Sequence, residues 1–507
     1  MHSRTTLHIT AHHPERKVLV TGASGYVGGR VIPELLEAGF GVRAMSRNAS
    51  SLERFDWSEN VDIVEGDLDN LDSLRKALKD VDVAFYLVHS MGGKDEDFEE
   101  AESRAARNFA QAAEEEHVSQ IVYLSGLHPK DKSLEQLSKH MRSRERVAQI
   151  LLDSEVSTVV LQAATLIGSG SASFEIIRHL AERLPVMVAP QWITNKIEPL
   201  AIRDALYYLV SVADLDDPNN GAYDVGCGKT YEFADLIRLY ARARNMHRFI
   251  TSVPIPLPMD TLSGMWIGLV TPVPAQLAFP LAQSMAEDAV TDPEYSIKPL
   301  IPDPPEGLID YPSAVDLALE REEIGAVATS WDDSWKYSLD PADSLPTDPE
   351  WAGLQVYTDV REGESDLAPE QVWKVIEGIG GSHGWYSAPV LWQVRGLMDK
   401  IVGGPGLGGR RDPQHLEEGD RVDWWRVEDI KRGEHLVLRA EMKLNGKAWL
   451  KLEVQPRDGG GSLYKQSAIY CPQGTLGHMY WWAVYPFHGF IFPLMRKNIL
   501  RAAADGR

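Results

Sequence analysis

Residues 17–30 constrain the fold of this chain more than any other stretch. They read KVLVTGASGYVGGR, in which 18–20 is an apolar run long enough for a buried parallel strand. Three glycines follow at a spacing of three residues, Gly22, Gly25 and Gly28, and apolar residues then recur at helical period. A strand, a glycine turn and a helix start allow a dinucleotide pyrophosphate to lie on backbone N–H groups at the positive helix end. The stretch therefore predicts a dinucleotide-binding βα unit.

Length and charge narrow the class of protein. A chain of 507 residues is expected to form two or three domains of roughly 150 residues each. Its 51 basic and 74 acidic residues give a net charge of −23, which argues against a nucleic-acid partner. The two cysteines, Cys227 and Cys471, provide neither a disulfide framework nor a metal-ligand spacing. We therefore expect a cytoplasmic protein without a metal site.

Residues 1–15 have no apolar signal core, and we interpret them as a flexible tail. Two apolar stretches, 263–286 and 480–494, are candidates for membrane spans. Several prolines interrupt the first stretch, and the second is short for a span. Neither is predicted to cross a membrane, but peripheral membrane contact stays an open alternative for both.

Strand and helix patterns alternate through the first half of the chain. Apolar runs with strand character occur at 41–46, 61–65, 81–89, 120–125, 158–162 and 221–225. Helical patterns lie between them, at 99–116, 138–154 and, after the last strand, 232–243. This rhythm predicts an α/β fold with a doubly wound parallel Rossmann sheet, in which ligand groups gather at the strand C-termini. The candidate cofactor contacts are Gly22, Ser24, Gly25, Tyr26, Val27, Gly28, Arg47, Asp67, Leu68, Leu87, Val88, His89 and Ala164.

The end of the second strand indicates which dinucleotide is bound. A carboxylate at this place would bind the ribose hydroxyls of NAD, whereas an arginine suits the 2′-phosphate of NADP. No acidic residue occurs there, and Arg43 and Arg47 are both within reach. NADP(H) is therefore favoured over NAD(H). Asp67, after the third strand, either binds an adenine amino group or caps the next helix, and both alternatives stay open.

Three sequence motifs resemble the atypical branch of the short-chain dehydrogenase/reductase superfamily, which includes NmrA-like regulators and a reductase-like accessory subunit of respiratory complex I. They are TGASGYVG at 21–28, GDL at 66–68 and IVYLSG at 121–126. The resemblance covers 16–300 and implies an NAD(P)-binding domain whose variable part, about 168–300, forms an apolar substrate lobe.

The resemblance also suggests catalytic positions. Active members have a serine after the fifth strand and a Tyr-x-x-x-Lys on the next helix, and Ser125 matches the serine. The helix has His140 and Arg144 in place of the tyrosine and lysine. His140 could transfer a proton near neutral pH, and Arg144 could hold ribose or phosphate. Alternatively, both are solvated helix residues.

The second half of the chain has a different pattern. Residues 301–349 are rich in proline and acidic residues and form a connector. Residues 350–507 begin with a strand at 354–361 and a helix at 368–376, started by Ser365 or Asp366. Four strands and a long terminal helix follow, at 421–427, 435–442, 447–455, 462–470 and 476–502. This order predicts an α+β domain.

The order of elements in 350–507 resembles START/polyketide-cyclase-like (SRPBCC) helix-grip domains, in which a sheet wraps a long helix around an apolar cavity. It also resembles an uncharacterised domain fused behind atypical reductases in bacteria. Trp424 and Trp425 either line such a cavity or are ordinary core residues. The segment 480–494, kinked at Pro486, is expected to cap the cavity.

Three functions are consistent with these features. The first is an NADP(H)-dependent oxidoreductase acting on a hydrophobic carbonyl, quinone or isoprenoid-like substrate, with a second domain that binds or delivers the apolar ligand. The second is a non-catalytic NADP(H)-responsive sensor or a lipid- or quinone-binding module. The third is a structural subunit of a membrane complex. The expected partner is a hydrophobic small molecule, and the sequence indicates no oligomeric state.

Overall fold

The computed structural model describes residues 7, 9–53, 55–88, 98–252, 285, 287–329, 355–387, 409–410, 412, 415–442, 444–457 and 459–506. The chain divides into two compact units, essentially 1–325 and 354–507. The two units are described separately below.

Thirteen strands lie in the described part of the first unit. They are β1 (Lys17–Thr21), β2 (Gly41–Ser46), β3 (Asp62–Glu65), β4 (Val83–Tyr86), β5 (Gln120–Gly126), β6 (Ser157–Ala163), β7 (Leu166–Ile167), β8 (Val186–Ala189), β9 (Lys196–Ile197), β10 (Leu200–Ala201), β11 (Gly221–Val225), β12 (Tyr231–Glu232) and β13 (Phe249–Ser252). Seven of them form one sheet in the order β11-β6-β5-β4-β1-β2-β3, with every neighbouring pair parallel. The predicted doubly wound parallel sheet is confirmed.

Helices cover both faces of this sheet. The helices described in the first unit are α1 (Tyr26–Ala38), α2 (Leu71–Leu78), α3 (Phe98–Glu115), α4 (Lys139–Leu152), α5 (Ala172–Arg183), α6 (Ile202–Ala213), α7 (Phe233–Ala243) and α8 (Tyr311–Thr329). Of these, α1 and α6 pack on one face of the sheet, and α2, α3 and α4 pack on the other. Side chains alternate across β1, so that Val18 and Val20 enter the core beneath α1 and α6. Leu19 enters the opposite core, beneath α2, α3 and α4. Burial on both faces explains why the strands are continuous apolar runs.

The strand order places a ligand crevice. β1 lies between β2 and β4, so the chain crosses to opposite sides of the sheet from this point. In open α/β sheets such a reversal leaves a crevice at the carboxyl ends of the strands. The glycine stretch follows β1 and therefore opens into it. Most of the apolar stretch 263–286 lies outside the described residues.

The described part of the second unit combines an antiparallel sheet with two α-helices. Its strands are β14 (Tyr357–Ser365), β15 (Arg421–Val422), β16 (Trp425–Lys431), β17 (His435–Ala440), β18 (Gly446–Pro456) and β19 (Ser462–Pro472), and its helices are α9 (Pro369–Glu377) and α10 (Gly474–Ala504). The sheet order is β14-β19-β18-β17-β16-β15, with antiparallel pairing throughout. The α+β plan is confirmed, whereas the relationship to START-like domains stays a prediction.

Two local predictions in the second unit are wrong. The strand expected at 421–427 is broken by a turn at Asp423, whose φ is +57°. The Asp423 carboxylate accepts hydrogen bonds from the Gly409 amide and the Trp385 indole, at 3.0 and 2.9 Å. These partners are distant in sequence, so the strand pattern gave no sign of the turn. Helix α9 has Ala368 rather than Ser365 or Asp366 as its N-cap residue.

The tryptophans of the second unit belong to its core. Trp385 and Trp424 stack with ring centroids 6.2 Å apart, and both are buried. Trp425 lies in the same core cluster, together with Ile376 and Met495. This packing favours the core interpretation over a tryptophan-lined cavity. Among the described residues, no helix is long and apolar enough to cross a membrane.

Candidate functional site

The glycine loop after β1 leaves no room for side chains. Gly22 has φ +67°, and a Cβ on it would lie 2.8 Å from the Leu87 carbonyl oxygen. A Cβ on Gly28 would overlap the Gly22 carbonyl group. Gly25 is the N-cap residue of α1, and its amide donates to the Gly22 carbonyl at 2.8 Å. The loop thus places backbone N–H groups, unobstructed by side chains at the glycines, at the positive end of α1. Such an arrangement can bind a diphosphate.

The predicted cofactor contacts line one cavity of about 1160 Å³ at the carboxyl ends of the strands. His89 is the exception, because it lies outside the described residues. The cavity is lined by Gly22, Ser24, Gly25, Tyr26, Val27, Gly28, Arg47, Asp67, Leu68, Leu87, Val88 and Ala164. Long-range folding therefore brings together residues that the sequence places 140 positions apart, from the first glycine to the end of β6.

The two candidate arginines have different surroundings. Arg43 donates from Nε to Asp62 at 2.7 Å and from one terminal nitrogen to the Ala77 and Lys79 carbonyls, each at 2.8 Å. This guanidinium holds the pKa of the Asp62 carboxyl below its usual value. Arg47 is exposed and lines the cavity. Only Arg47 is therefore placed to meet a cofactor phosphate, and Arg43 has a structural role.

Asp67 does not cap the following helix. Asn70 is the N-cap residue of α2, and its side chain accepts from the amides of Asp72 and Ser73. Asp67 instead accepts from the Asp69 amide at 3.1 Å and lines the cavity. The capping alternative is wrong, and the contact with adenine stays a prediction.

The three candidate catalytic residues converge on the same cavity. Ser125 is at the end of β5 and only 3% exposed. Arg144 follows His140 by four positions on α4, so the two side chains lie on one helix face. Arg144 also donates to the Leu124 carbonyl at 3.2 Å, which fixes its guanidinium near the end of β5.

His140 has an unusual charge state for a proton donor. Burial, followed by the positive charge of Arg144, lowers the pKa of its imidazole to about 3. The ring is therefore neutral at neutral pH, and the imidazolium form that would donate a proton there is not populated. The expectation that His140 transfers a proton stays a prediction, and a neutral ring can act as the base. A neutral ring retains one N–H donor for orienting a ligand.

Tyr123 lines the same cavity and was given no role in the sequence analysis. It precedes Ser125 by two residues on β5, so both side chains point to one face of the sheet. Burial raises the pKa of the Tyr123 phenol, while the Arg144 charge and the nearby Ser125 hydroxyl act to lower it. The strand period could have indicated Tyr123, but the tyrosine was sought on the following helix.

Two family models match parts of this chain. Residues 22–179 match the family described as NAD(P)H-binding. Residues 351–495 match a family described as a protein of unknown function, DUF2867. The expected cofactor class is confirmed by the first match.

Among individual proteins, the chain is 29% identical over 124 residues to the chloroplastic divinyl chlorophyllide a 8-vinyl-reductase of Cucumis sativus. The match covers 22% of this chain and 30% of the relative's length. Among solved structures, the chain is similar to Citrobacter sp. triphenylmethane reductase complexed with NADP(H), at 16% identity and a TM-score of 0.47. That match covers 60% of this chain and 100% of the other.

A further similar structure is the NADPH-dependent quinone oxidoreductase QOR2 of Escherichia coli complexed with NADPH. It is 17% identical, with a TM-score of 0.46, and the match covers 59% of this chain and 98% of the other. The family match at 22–179 and the parallel strand order lead to one conclusion. The matched part of the first unit is similar to the NAD(P)H-binding family and has a Rossmann-type parallel sheet, while the relationship to atypical short-chain dehydrogenases/reductases stays a prediction.

Proposed function

We propose that the first unit is an NADP(H)-dependent reductase of a hydrophobic carbonyl, quinone or isoprenoid-like compound. The observation that carries the proposal is the shared cavity. It combines the glycine loop and Arg47 with a hydroxyl pair, Tyr123 and Ser125, and a fixed cation, Arg144. Its volume of about 1160 Å³ exceeds the roughly 300–1000 Å³ of ordinary small-molecule pockets, which supports room for a cofactor together with a substrate.

The preference for NADP(H) rests on Arg47. A guanidinium binds phosphate in a planar, bidentate manner and keeps its charge at all physiological pH values. Arg47 is exposed at the cavity, and Ser46, Asn48 and Ser51 line the wall beside it. All three can donate hydrogen bonds to a phosphate.

Reduction also needs a proton source. NADPH, when bound, supplies a hydride to the substrate carbon. The Tyr123 phenol is protonated at neutral pH and gives its proton to the substrate oxygen. Arg144 and the Ser125 hydroxyl then stabilise the phenolate that remains, and both already act to lower the pKa of Tyr123. The neutral ring of His140 has one N–H group that can donate a hydrogen bond to a ligand in the same cavity.

The substrate class follows from the remaining wall of the cavity. Apolar side chains line it beyond the cofactor contacts, namely Leu124, Leu127, Met141, Leu166, Phe233 and Met285. Such a wall favours an apolar substrate with few polar atoms. The curated relative in Cucumis sativus is likewise a reductase by name. A ligand role for the second unit stays a prediction.

The test follows NADPH oxidation with a panel of hydrophobic quinones and aldehydes. Tyr123→Phe removes the proposed proton donor and is expected to lower kcat about 100-fold or more, with the Kd for NADPH unchanged. Tyr86 is the matched control, because it pairs with Tyr123 in register on β4 and is equally buried. Tyr86→Phe is expected to keep kcat within about twofold, because Tyr86 lines the cavity and packs edge-on against Tyr123 but is not the proposed proton donor.

Unchanged turnover in Tyr123→Phe would contradict the assignment of the proton donor. Tight NADPH binding without turnover of any panel compound would favour the non-catalytic sensor instead. Absence of NADPH binding would contradict the whole proposal.

A further inference from the structure

Helix α10 leaves one apolar side open to solvent. Five side chains on this side are each 55–63% exposed, and we call them the aromatic face: Leu476, Met479, Trp482, Phe487 and Phe490. Their spacing of three to five residues keeps them within one stripe of the helix. The stretch 474–495 contains no Lys, Arg, Asp or Glu. An exposed, uncharged stripe of this size is unusual on a protein surface.

The opposite side of α10 packs into the core of the second unit. Trp481 stacks on Tyr357 and Tyr470, with ring centroids 5.1 and 5.9 Å apart. Met495 and Ile499 are fully buried in the core of the second unit. The helix is thus anchored along one side, and the aromatic face contributes little to folding.

Charge is distributed asymmetrically along α10. The helix has three basic residues, Arg496, Lys497 and Arg501, and no acidic residue in its 31 positions. In contrast, acidic residues outnumber basic ones 74 to 51 in the whole chain. Lys497 and Arg501 follow Phe490 by seven and eleven residues, so helical period places them on the side of the aromatic face. Both are exposed.

We propose that the aromatic face, together with Lys497 and Arg501, docks on the surface of an anionic phospholipid bilayer. Helices that lie in a membrane interface combine Trp, Phe and Leu on one side with nearby cations. Aromatic rings settle at the headgroup level, and Lys and Arg pair with lipid phosphates. This proposal does not depend on the reductase activity of the first unit.

A second copy of the chain fits the aromatic face less well. In a two-fold contact the same surface meets itself. Because α10 contains no acidic residue, helix-on-helix contact would give Lys497 and Arg501 no partner of opposite charge. Lipid phosphates supply the missing counter-charge.

The experiment is flotation of the full-length protein with vesicles of phosphatidylcholine, alone or mixed three to one with phosphatidylglycerol. The protein is expected to float with the mixed vesicles. Trp482→Ser combined with Phe490→Ser is expected to weaken binding about tenfold or more. Lys497→Gln and Arg501→Gln are each expected to weaken binding to the mixed vesicles about fivefold, with less effect at high salt.

The matched control is Val186→Ser combined with Phe249→Ser. These side chains are 62% and 66% exposed on β8 and β13 of the first unit, and their loss is expected to leave vesicle binding unchanged. A fluorophore on Trp482→Cys gives an independent readout, because both native cysteines are buried. Its emission is expected to shift to the blue when vesicles are added.

Three results would overturn the proposal. The first is no flotation with the mixed vesicles, and the second is equal flotation of the wild type and the Trp482/Phe490 variant. The third is a dimer without vesicles that the same variant dissociates, which would identify a second copy as the occupant.

Discussion

At the scale of single residues, neighbours across the sheet decide the role of each side chain. Arg43 and Arg47 looked equivalent in the sequence as contacts for a 2′-phosphate. The register of β2 and β3 pairs Arg43 with Asp62, and this ion pair removes Arg43 from the site. The pairing of two strands is a long-range property, so it cannot be read from the short segment around Arg43 and Arg47. Of the two arginines only Arg47 lines the cavity, and its contact with a 2′-phosphate stays a prediction.

Arg47→Gln tests this assignment directly. Loss of a charged hydrogen bond typically costs about 1.5–3 kcal/mol, so the Kd for NADPH is expected to rise roughly 10- to 100-fold. The Kd for NADH is expected to change little, because NADH lacks the 2′-phosphate. Arg43→Gln is the matched control and should leave the ratio of the two Kd values unchanged. Equal weakening of NADPH and NADH binding in Arg47→Gln would contradict the account.

The pKa of His140 predicts a pH-dependent stability. Its value of about 3 in the folded chain is below the usual 6.5, so the unfolded chain binds more protons between these pH values. The free energy of unfolding of the first unit is therefore expected to fall as the pH drops below about 6.5, by at most about 1.4 kcal/mol per pH unit from this residue. His140→Gln is expected to flatten that dependence in urea unfolding at pH 5.5 and 7.5. An identical pH dependence in wild type and variant would contradict the shift.

At the scale of secondary structure, strong hydrophobic periodicity predicted the helices and strands correctly. The prediction failed where hydrogen bonds to residues distant in sequence change the local backbone. The strands of the Rossmann sheet and the long terminal helix are found within a few residues of their predicted bounds. The break at Asp423 was missed because its hydrogen-bond partners lie 14 and 38 residues away. Local patterns do not contain these partners. Tyr123 was missed for a different reason: the dehydrogenase motif places its tyrosine on the helix after β5, although the strand period puts Tyr123 on the same face as Ser125.

Alanine substitutions at two glycines of α10 are expected to have opposite effects on stability. A Cβ at Gly489 would meet nothing within 4 Å, and Ala is a better helix former than Gly by about 1 kcal/mol. Gly489→Ala is therefore expected to raise the free energy of unfolding of the second unit by up to that amount. A Cβ at Gly477 would overlap the Asn445 carbonyl oxygen, so Gly477→Ala is expected to destabilise by about 1–3 kcal/mol. Urea unfolding measures both, and a stabilising Gly477→Ala would contradict the packing described for α10.

At the scale of the whole molecule, the sequence separated two halves with different rhythms, and the structure has a compact unit for each. The domain limits proposed from the sequence, 16–300 and 350–507 with a connector at 301–349, stay predictions in detail. A fold class can be predicted from the alternation of strands and helices, because each of them has its own hydrophobic period in the local sequence. The full composition of the cavity cannot be predicted in this way, since part of its wall, such as Phe233 and Met285, comes from residues that no local motif marks.

The most direct test of the central claim is a titration of the purified protein with NADPH and NADH, followed by addition of a hydrophobic quinone. We expect tighter binding of NADPH than of NADH and oxidation of the bound NADPH when the quinone is added. Gly28→Ala, whose Cβ would overlap the Gly22 carbonyl group and so distort the glycine loop, is expected to abolish binding of both nucleotides. Undiminished NADPH affinity in Gly28→Ala, or no NADPH binding by the wild type, would contradict the assignment of this cavity as the cofactor site.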